Sequence, residues 1–193
     1  RVVDYVLHDV CLQRLPVVFC LDRAGLVGDD GPTHHGVFDV ALFRAAPGLV
    51  MLQPKDEAEL ADMLCSALAW RRPVMIRYPR GSGPGASLSA PPKELPFAVA
   101  ETLQEGRDVQ LWALGDMQPL ARSAAQRLAG QGISAGIVNP RFIRPLDRDL
   151  LLRQARTARC IAVLENGIAS GGFGSLVAES LSEAGCRVPC LRF

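Results

Sequence analysis

Short apolar, β-branched runs alternate along this chain with amphipathic helical stretches, and that alternation leaves few folds open. The strand-like runs fall at 16–21, 49–52 and 73–78 in the first half, and at 109–114, 133–138, 160–164 and 187–191 in the second. Asp56-x-x-Glu59 is a capping-box pattern that opens a helix with Leu60, Met63, Leu64, Ala67 and Leu68 on one face. Stretches 117–128, 147–155 and 174–184 read as further helices, with Asp147 as an N-cap and Gly185 as a stop. Strands that are apolar from end to end need cover on both faces, which is the habit of parallel sheets. The expected architecture is α/β: two three-layer αβα units with mostly parallel sheets.

The division between the units shows as a change of texture. Residues 81–96, GSGPGASLSAPPKELP, are rich in Gly, Ser and Pro and offer little to bury. The chain therefore divides into a first unit at 1–85, a linker at 86–96 and a second unit at 97–193, and a length of 193 residues suits two compact domains. With 49% apolar residues and a net charge of +1, neither disorder nor a generic polyanion binder fits. No apolar run approaches the roughly 20 residues that cross a bilayer. Cys11, Cys20, Cys65 and Cys160 read as small buried hydrophobes of a reducing, cytoplasmic setting, and Cys186-x-x-x-Cys190 lacks a zinc or redox spacing. At the N-terminus a helical period through Val2, Val3, Val6, Leu7, Val10 and Cys11 starts without a capping signal, as expected of a piece of a longer chain.

Chemistry concentrates after the first strand. Residues 22–36, DRAGLVGDDGPTHHG, hold four glycines, an arginine, three aspartates and two adjacent histidines. In open α/β sheets ligands bind beyond the carboxyl ends of strands, where this loop emerges. The loop is a dense supply of acid/base groups; the alternative is a surface loop with incidental polar residues. Adjacent histidines do not form a metal site in regular structure, and no G-x-S-x-G elbow points to a hydrolase. His8-Asp9, on the opening helix, reads as a local cap.

Arg77-Tyr78-Pro79-Arg80-Gly81 follows another strand at the same kind of end. Arg23 and Arg80 leave equivalent ends of two strands, so they can converge on one anion such as a phosphate; the alternative is two solvated arginines. Residues 165–174, ENGIASGGFG, resemble a phosphate-binding turn but lack G-x-G-x-x-G spacing, so helix-on-strand packing is the leading reading. Residues 139–147, with two prolines, look architectural.

Taken together, the stretch from VLHDVC to GPTHHGVFD, then RYPRG, RFIRPLD and ENGIASGGFG, resemble the 1-deoxy-D-xylulose-5-phosphate synthase family of the transketolase superfamily. The resemblance implies that the first unit is part of a pyrimidine-binding domain and the second an incomplete transketolase C-terminal domain. It implies a transferase using thiamine diphosphate and Mg2+ to condense pyruvate with glyceraldehyde 3-phosphate, releasing carbon dioxide. The product feeds isoprenoid, thiamine and pyridoxal synthesis, and related enzymes are cytoplasmic homodimers. Carried over, Arg23 and Arg80 hold the aldehyde's phosphate, His34 and Asp30 are the active-site histidine and aspartate, and Arg1 lines the same site. The family's cofactor-contacting glutamate and its G-D-G…N diphosphate and magnesium motif have no counterpart in this sequence, and Val3 stands where relatives often carry tyrosine. The chain alone is therefore expected to be inactive. Two other readings stay open: a non-catalytic binding or assembly module with this fold, and a fragment of the 2-oxoacid dehydrogenase β type.

Overall fold

The computed structural model describes residues 2–88 and 91–193. Among these described residues are nine strands, β1 Val18–Leu21, β2 Val50–Leu52, β3 Val74–Arg77, β4 Glu101–Gln104, β5 Val109–Ala113, β6 Ala135–Asn139, β7 Phe142–Arg144, β8 Cys160–Leu164 and β9 Cys190–Arg192. A short helix α1, Val2–Asp4, runs on as a π-helix over Tyr5–Cys11; then come α2 Asp39–Phe43, α3 Glu57–Trp70, α4 Gln118–Ala129, α5 Arg148–Ala155 and α6 Phe173–Glu183. One sheet has the order β1-β3-β2-β7 and the other β4-β6-β5-β8-β9. Parallel pairing dominates both; β7 and β4 pair antiparallel. The α/β architecture with parallel-dominated sheets is the one the sequence predicts. Among the described residues, no helix is long and apolar enough to cross a membrane.

Successive strand residues face opposite sides, and the core divides accordingly. Val50, Leu52, Val74 and Ile76 pack with Met63 and Ala67 of α3. Met51 and Met75, on the other face, join Val6, Cys11, Val40 and Phe43 in a cluster that also takes in Trp112, Ile161, Val163, Leu151, Phe173 and Val177. Leu111, Ala113, Ile137 and Ala162 cover α4 through Ala121 and Ala125. The two sheets thus share one apolar layer between them. The opening helix contributes to it through Val6 and Cys11, five residues apart, because Leu12 and Leu15 donate to Leu7 and Val10 in the i to i−5 pattern of a π-helix.

Two sequence expectations need correction. β7 arises inside the stretch 139–147: two residues after β6 ends, the chain crosses from one sheet to the other, and Phe142 pairs with Leu52. A three-residue strand next to prolines carries no periodic signal. Cys20 is exposed and Cys65 and Cys160 are partly exposed, leaving Cys11 as the one buried member of the four expected. β1 is an edge strand, so its alternate side chains lack a neighbour on one side. The described parts of the Gly/Ser/Pro stretch, 81–88 and 91–96, are bonded to α3. The Glu57 carboxylate accepts from the amides of Gly85 and Ala86, Asp62 from that of Lys93, and Ser66 from that of Leu95. Leu95 is buried beside Phe142, and Phe97 meets Trp70 edge-on at 5.1 Å between ring centres.

A charged cluster ties α3 to the second sheet. Glu59, 3% exposed, accepts from Asn139 Nδ2 at 2.9 Å, Arg141 Nε at 2.7 Å and Lys55 Nζ at 3.2 Å. Glu101 completes the cluster, 2.8 Å from Lys55 Nζ and 3.1 Å from Arg141 Nη2. Burial pushes the Glu101 carboxyl up, but Lys55, Arg141 and Asn139 outweigh it and hold the group below its ordinary value. Removing one member of a buried ion network strands its partners. Glu59→Ala should lower stability by about 3 kcal/mol, read as a lower denaturant midpoint at unchanged slope, and Glu59→Gln should cost less. An unchanged midpoint in Glu59→Ala would show that the cluster does not hold the sheets together.

Candidate anion-binding site

β1 and β3 are parallel neighbours with Leu21 opposite Arg77, so the segments that follow them leave the sheet side by side. Arg23 stands two residues beyond β1 and Arg80 three beyond β3, and the two guanidinium groups meet on one carboxylate. Arg23 Nε donates to Asp30 Oδ2 at 2.7 Å, and Arg80 Nη1 donates to Asp30 Oδ1. Arg80, then Arg23, hold the Asp30 carboxyl below its ordinary range. Asp30 is therefore ionised at neutral pH and accepts on both oxygens, and in this geometry it is the occupant of a two-arginine seat. A cleft of about 420 Å³ adjoins Arg80, walled by Leu60, Tyr78, Pro79 and Pro84.

The loop that carries these groups is closed at its base. Gly25 N–H donates to Gly36 O at 2.9 Å, and Gly36 N–H donates to Gly25 O and Arg23 O, both at 3.0 Å. The closure needs glycine at both ends. Gly25 has φ +82°, and a Cβ on Gly36 would stand 2.3 Å from the Arg23 carbonyl. Within the loop the two histidines separate. His35 Nδ1 accepts from the Val27 amide at 3.0 Å and braces the turn. His34 sits in a 3-10 turn over Pro32–His34, exposed, its Nδ1 2.9 Å from the Thr33 hydroxyl. The structure thus brings Arg23, Arg80 and Asp30 together and leaves His34 on the rim without a contact to them. Arg1 lies outside the described residues.

Beneath the loop is a residue whose importance the sequence reading missed. Arg77 is 1% exposed, and its guanidinium donates to Gln53 Oε1 at 2.5 Å, Gly36 O at 2.9 Å and Asn166 O at 3.4 Å. Its Nε has no hydrogen-bond partner among the described residues and lies 3.7 Å from Asp39 Oδ2. Burial lowers the affinity of Arg77 for its proton, opposed by Asp39, Asp116 and Glu165, and burial likewise pushes the Asp39 carboxyl up against the pull of Arg77. The signal available was an arginine closing the otherwise apolar run 73–76, where a charge needs dedicated acceptors.

The glycine-rich turn after β8 is not vacant for a phosphate. Glu165 accepts from the amides of Phe173 and Gly174, both at 2.8 Å, filling the N-terminus of α6 with the chain's own carboxylate. Among the described residues, no three His, Cys, Asp or Glu side chains gather in a group that could hold a metal ion.

Residues 1–85 match the family model of the transketolase pyrimidine-binding domain, and residues 98–193 match that of the transketolase C-terminal domain. Across 193 residues the chain is 52% identical to a 1-deoxy-D-xylulose-5-phosphate synthase of Thermomicrobium roseum, covering all of this chain and 31% of that protein. It is 50% identical over 192 residues to the protein of that name from Methylacidiphilum infernorum, again covering all of this chain but 30% of the relative. The chain thus spans about a third of the length of these curated relatives. Among solved structures, one described as a split gene transketolase, inactive beta4 tetramer, superposes with a TM-score of 0.85 at 30% identity, covering 98% of this chain and 60% of its own. The chain belongs to the transketolase family.

The clamp on Asp30 has a defined pH signature. Because the folded value lies below the unfolded one, of about 3.9, the clamp's contribution is fully present above that pH and is lost as pH falls through the folded value. The stability difference between wild type and Asp30→Asn, measured by urea denaturation, should be constant from pH 5 to 7 and shrink below pH 4. A difference that grows on acidification contradicts the clamp.

Proposed function

We propose that this member of the transketolase family is the part of a 1-deoxy-D-xylulose-5-phosphate synthase that anchors the phosphorylated acceptor. The full reaction on this reading condenses pyruvate with glyceraldehyde 3-phosphate and releases carbon dioxide. The observation that carries it is the pair Arg23 and Arg80 on one carboxylate. Two guanidinium groups held that way present convergent donors to a phosphate's oxygens, which would displace Asp30 and take its place. The names of the relatives, at about 50% identity along the whole chain, support the same assignment.

Mg2+ does not fit the described residues, since no group of three or more His, Cys, Asp or Glu side chains among them could hold it. The main groups that would hold the diphosphate end of thiamine diphosphate and its Mg2+ are therefore assigned to other parts of the enzyme, while residues 1–85 match a pyrimidine-binding domain. The roles that remain concern the acceptor. Arg23 and Arg80 fix its phosphate, and with it the distance to the aldehyde. His34, exposed on the rim, supplies or takes the proton at the aldehyde oxygen as that oxygen becomes a hydroxyl. On this reading the chain by itself does not turn over. A split gene transketolase solved as an inactive beta4 tetramer supports both that and self-association; the complete enzyme is proposed as a cytoplasmic homodimer.

The test uses this chain joined to the portions of the Thermomicrobium roseum relative that lie outside the matched segment. Arg80→Ala should raise KM for glyceraldehyde 3-phosphate by roughly 10- to 100-fold, the worth of a charge-assisted pair, and leave unphosphorylated glyceraldehyde nearly unaffected. Equal losses for both acceptors remove the anchor role. His34→Ala should lower kcat by about 100-fold or more with cofactor affinity unchanged. An unaltered kcat takes His34 out of the chemistry.

A further inference from the structure

The glycine-rich turn 165–174, whose Phe173 and Gly174 amides are taken by Glu165, does not serve only to pack α6, because Asn166 reaches out of it to the loop 22–36. Its Oδ1 accepts from the Leu26 amide at 2.9 Å, its Nδ2 donates to Asp116 Oδ2 at 3.1 Å, and its backbone carbonyl accepts from Arg77. Asp116 is itself fixed, since its other oxygen accepts from Gln53 Nε2 at 2.9 Å. Gln53 in turn takes the second arm of Arg77. The loop lies directly against the amide: a Cβ on Gly25 would stand 2.4 Å from Asn166 Cγ. The base of the loop, Gly25 with Gly36, is thus held from below by Arg77 on the Gly36 carbonyl and from the side by Asn166 on the Leu26 amide.

We propose that Asn166 is a positioning residue. Through the chain Gln53–Asp116–Asn166–Leu26 it makes the second unit set the pose of the loop that carries Arg23, Asp30 and His34. The proposal rests on the acceptor-anchor reading for its kinetic consequence, though not for its structural one. Asn166 has one acceptor and one donor in use, and each has a directional demand. Leu26 needs an acceptor, and Asp116 has only acceptors to offer. An alanine loses both bonds. An aspartate keeps the acceptor for Leu26 but sets two carboxylates against each other 3.1 Å apart. Replacing Asp116 by asparagine as well reverses the direction of the bond: the new amide donates to the new carboxylate and its oxygen still serves Gln53. Net charge is unchanged from wild type.

Two measurements test this. In hydrogen exchange on the chain, Asn166→Ala should speed exchange of peptides within 22–36 by about tenfold and leave those of α3, β5 and β8 unchanged. Asn166→Asp should do the same, and Asn166→Asp with Asp116→Asn should return the loop to within about twofold of wild type. In the enzyme joined to the relative's remaining portions, Asn166→Ala should raise KM for glyceraldehyde 3-phosphate and lower kcat, each by about tenfold, with the double variant recovering both. Unchanged exchange in 22–36, a uniform rise across all peptides, or no recovery in the double variant each overturns the proposal. If the exchange results hold while Arg80→Ala fails to distinguish the two aldehydes, the acceptor assignment falls and the positioning role stands.

Discussion

A guanidinium closed off from water at the carboxyl end of β3 organises this molecule. Arg77 is buried to 1% exposure, and a buried cation is tolerable only where acceptors are brought to it. The acceptors come from three places distant in sequence: the side chain of Gln53 after β2, the carbonyl of Gly36 at the end of the loop, and the carbonyl of Asn166 after β8. One side chain thereby fixes the join between the two units and the floor of the candidate site. Arg23 and Arg80 are then arranged around Asp30 above a base that cannot drift.

The same logic repeats at the other side of α3, where Glu59 and Glu101 are shared among Lys55, Asn139 and Arg141. With the strand β7 lent by the second unit to the first sheet, and with an apolar cluster common to both sheets, the two units are coupled by polar pins at two points and by a continuous core between them. A site built at this join can draw rigidity from both.

Much of this was legible from residue order. The apolar runs at 49–52, 73–78, 109–114 and 160–164 became strands because fully covered strands need no polar alternation, and Asp56 and Asp147 cap α3 and α5 as their spacing demands. The convergence of Arg23 and Arg80 followed from two parallel strands ending at one level. What escaped was whatever depends on contacts far apart in sequence. β7 is too short for a period and exists because it pairs with β2. The stretch 81–96 reads as a linker in composition, and composition does not show that amides of its described parts, 81–88 and 91–96, find Glu57, Asp62 and Ser66 on α3. The anion in the seat also escaped: fifteen residues of polar loop do not reveal that Asp30, not a ligand, would satisfy both arginines, nor that of two adjacent histidines His35 would turn inward and His34 outward.

The central claim is that Arg23 and Arg80 form one seat for an anion, and that Asp30 fills it. Calorimetric titration of the chain with inorganic phosphate measures this most directly. The account requires Asp30→Asn to bind phosphate more tightly than wild type, because the internal competitor has lost its charge, and requires Arg80→Ala in that background to abolish the gain. Phosphate affinity unchanged or weakened by Asp30→Asn would contradict it.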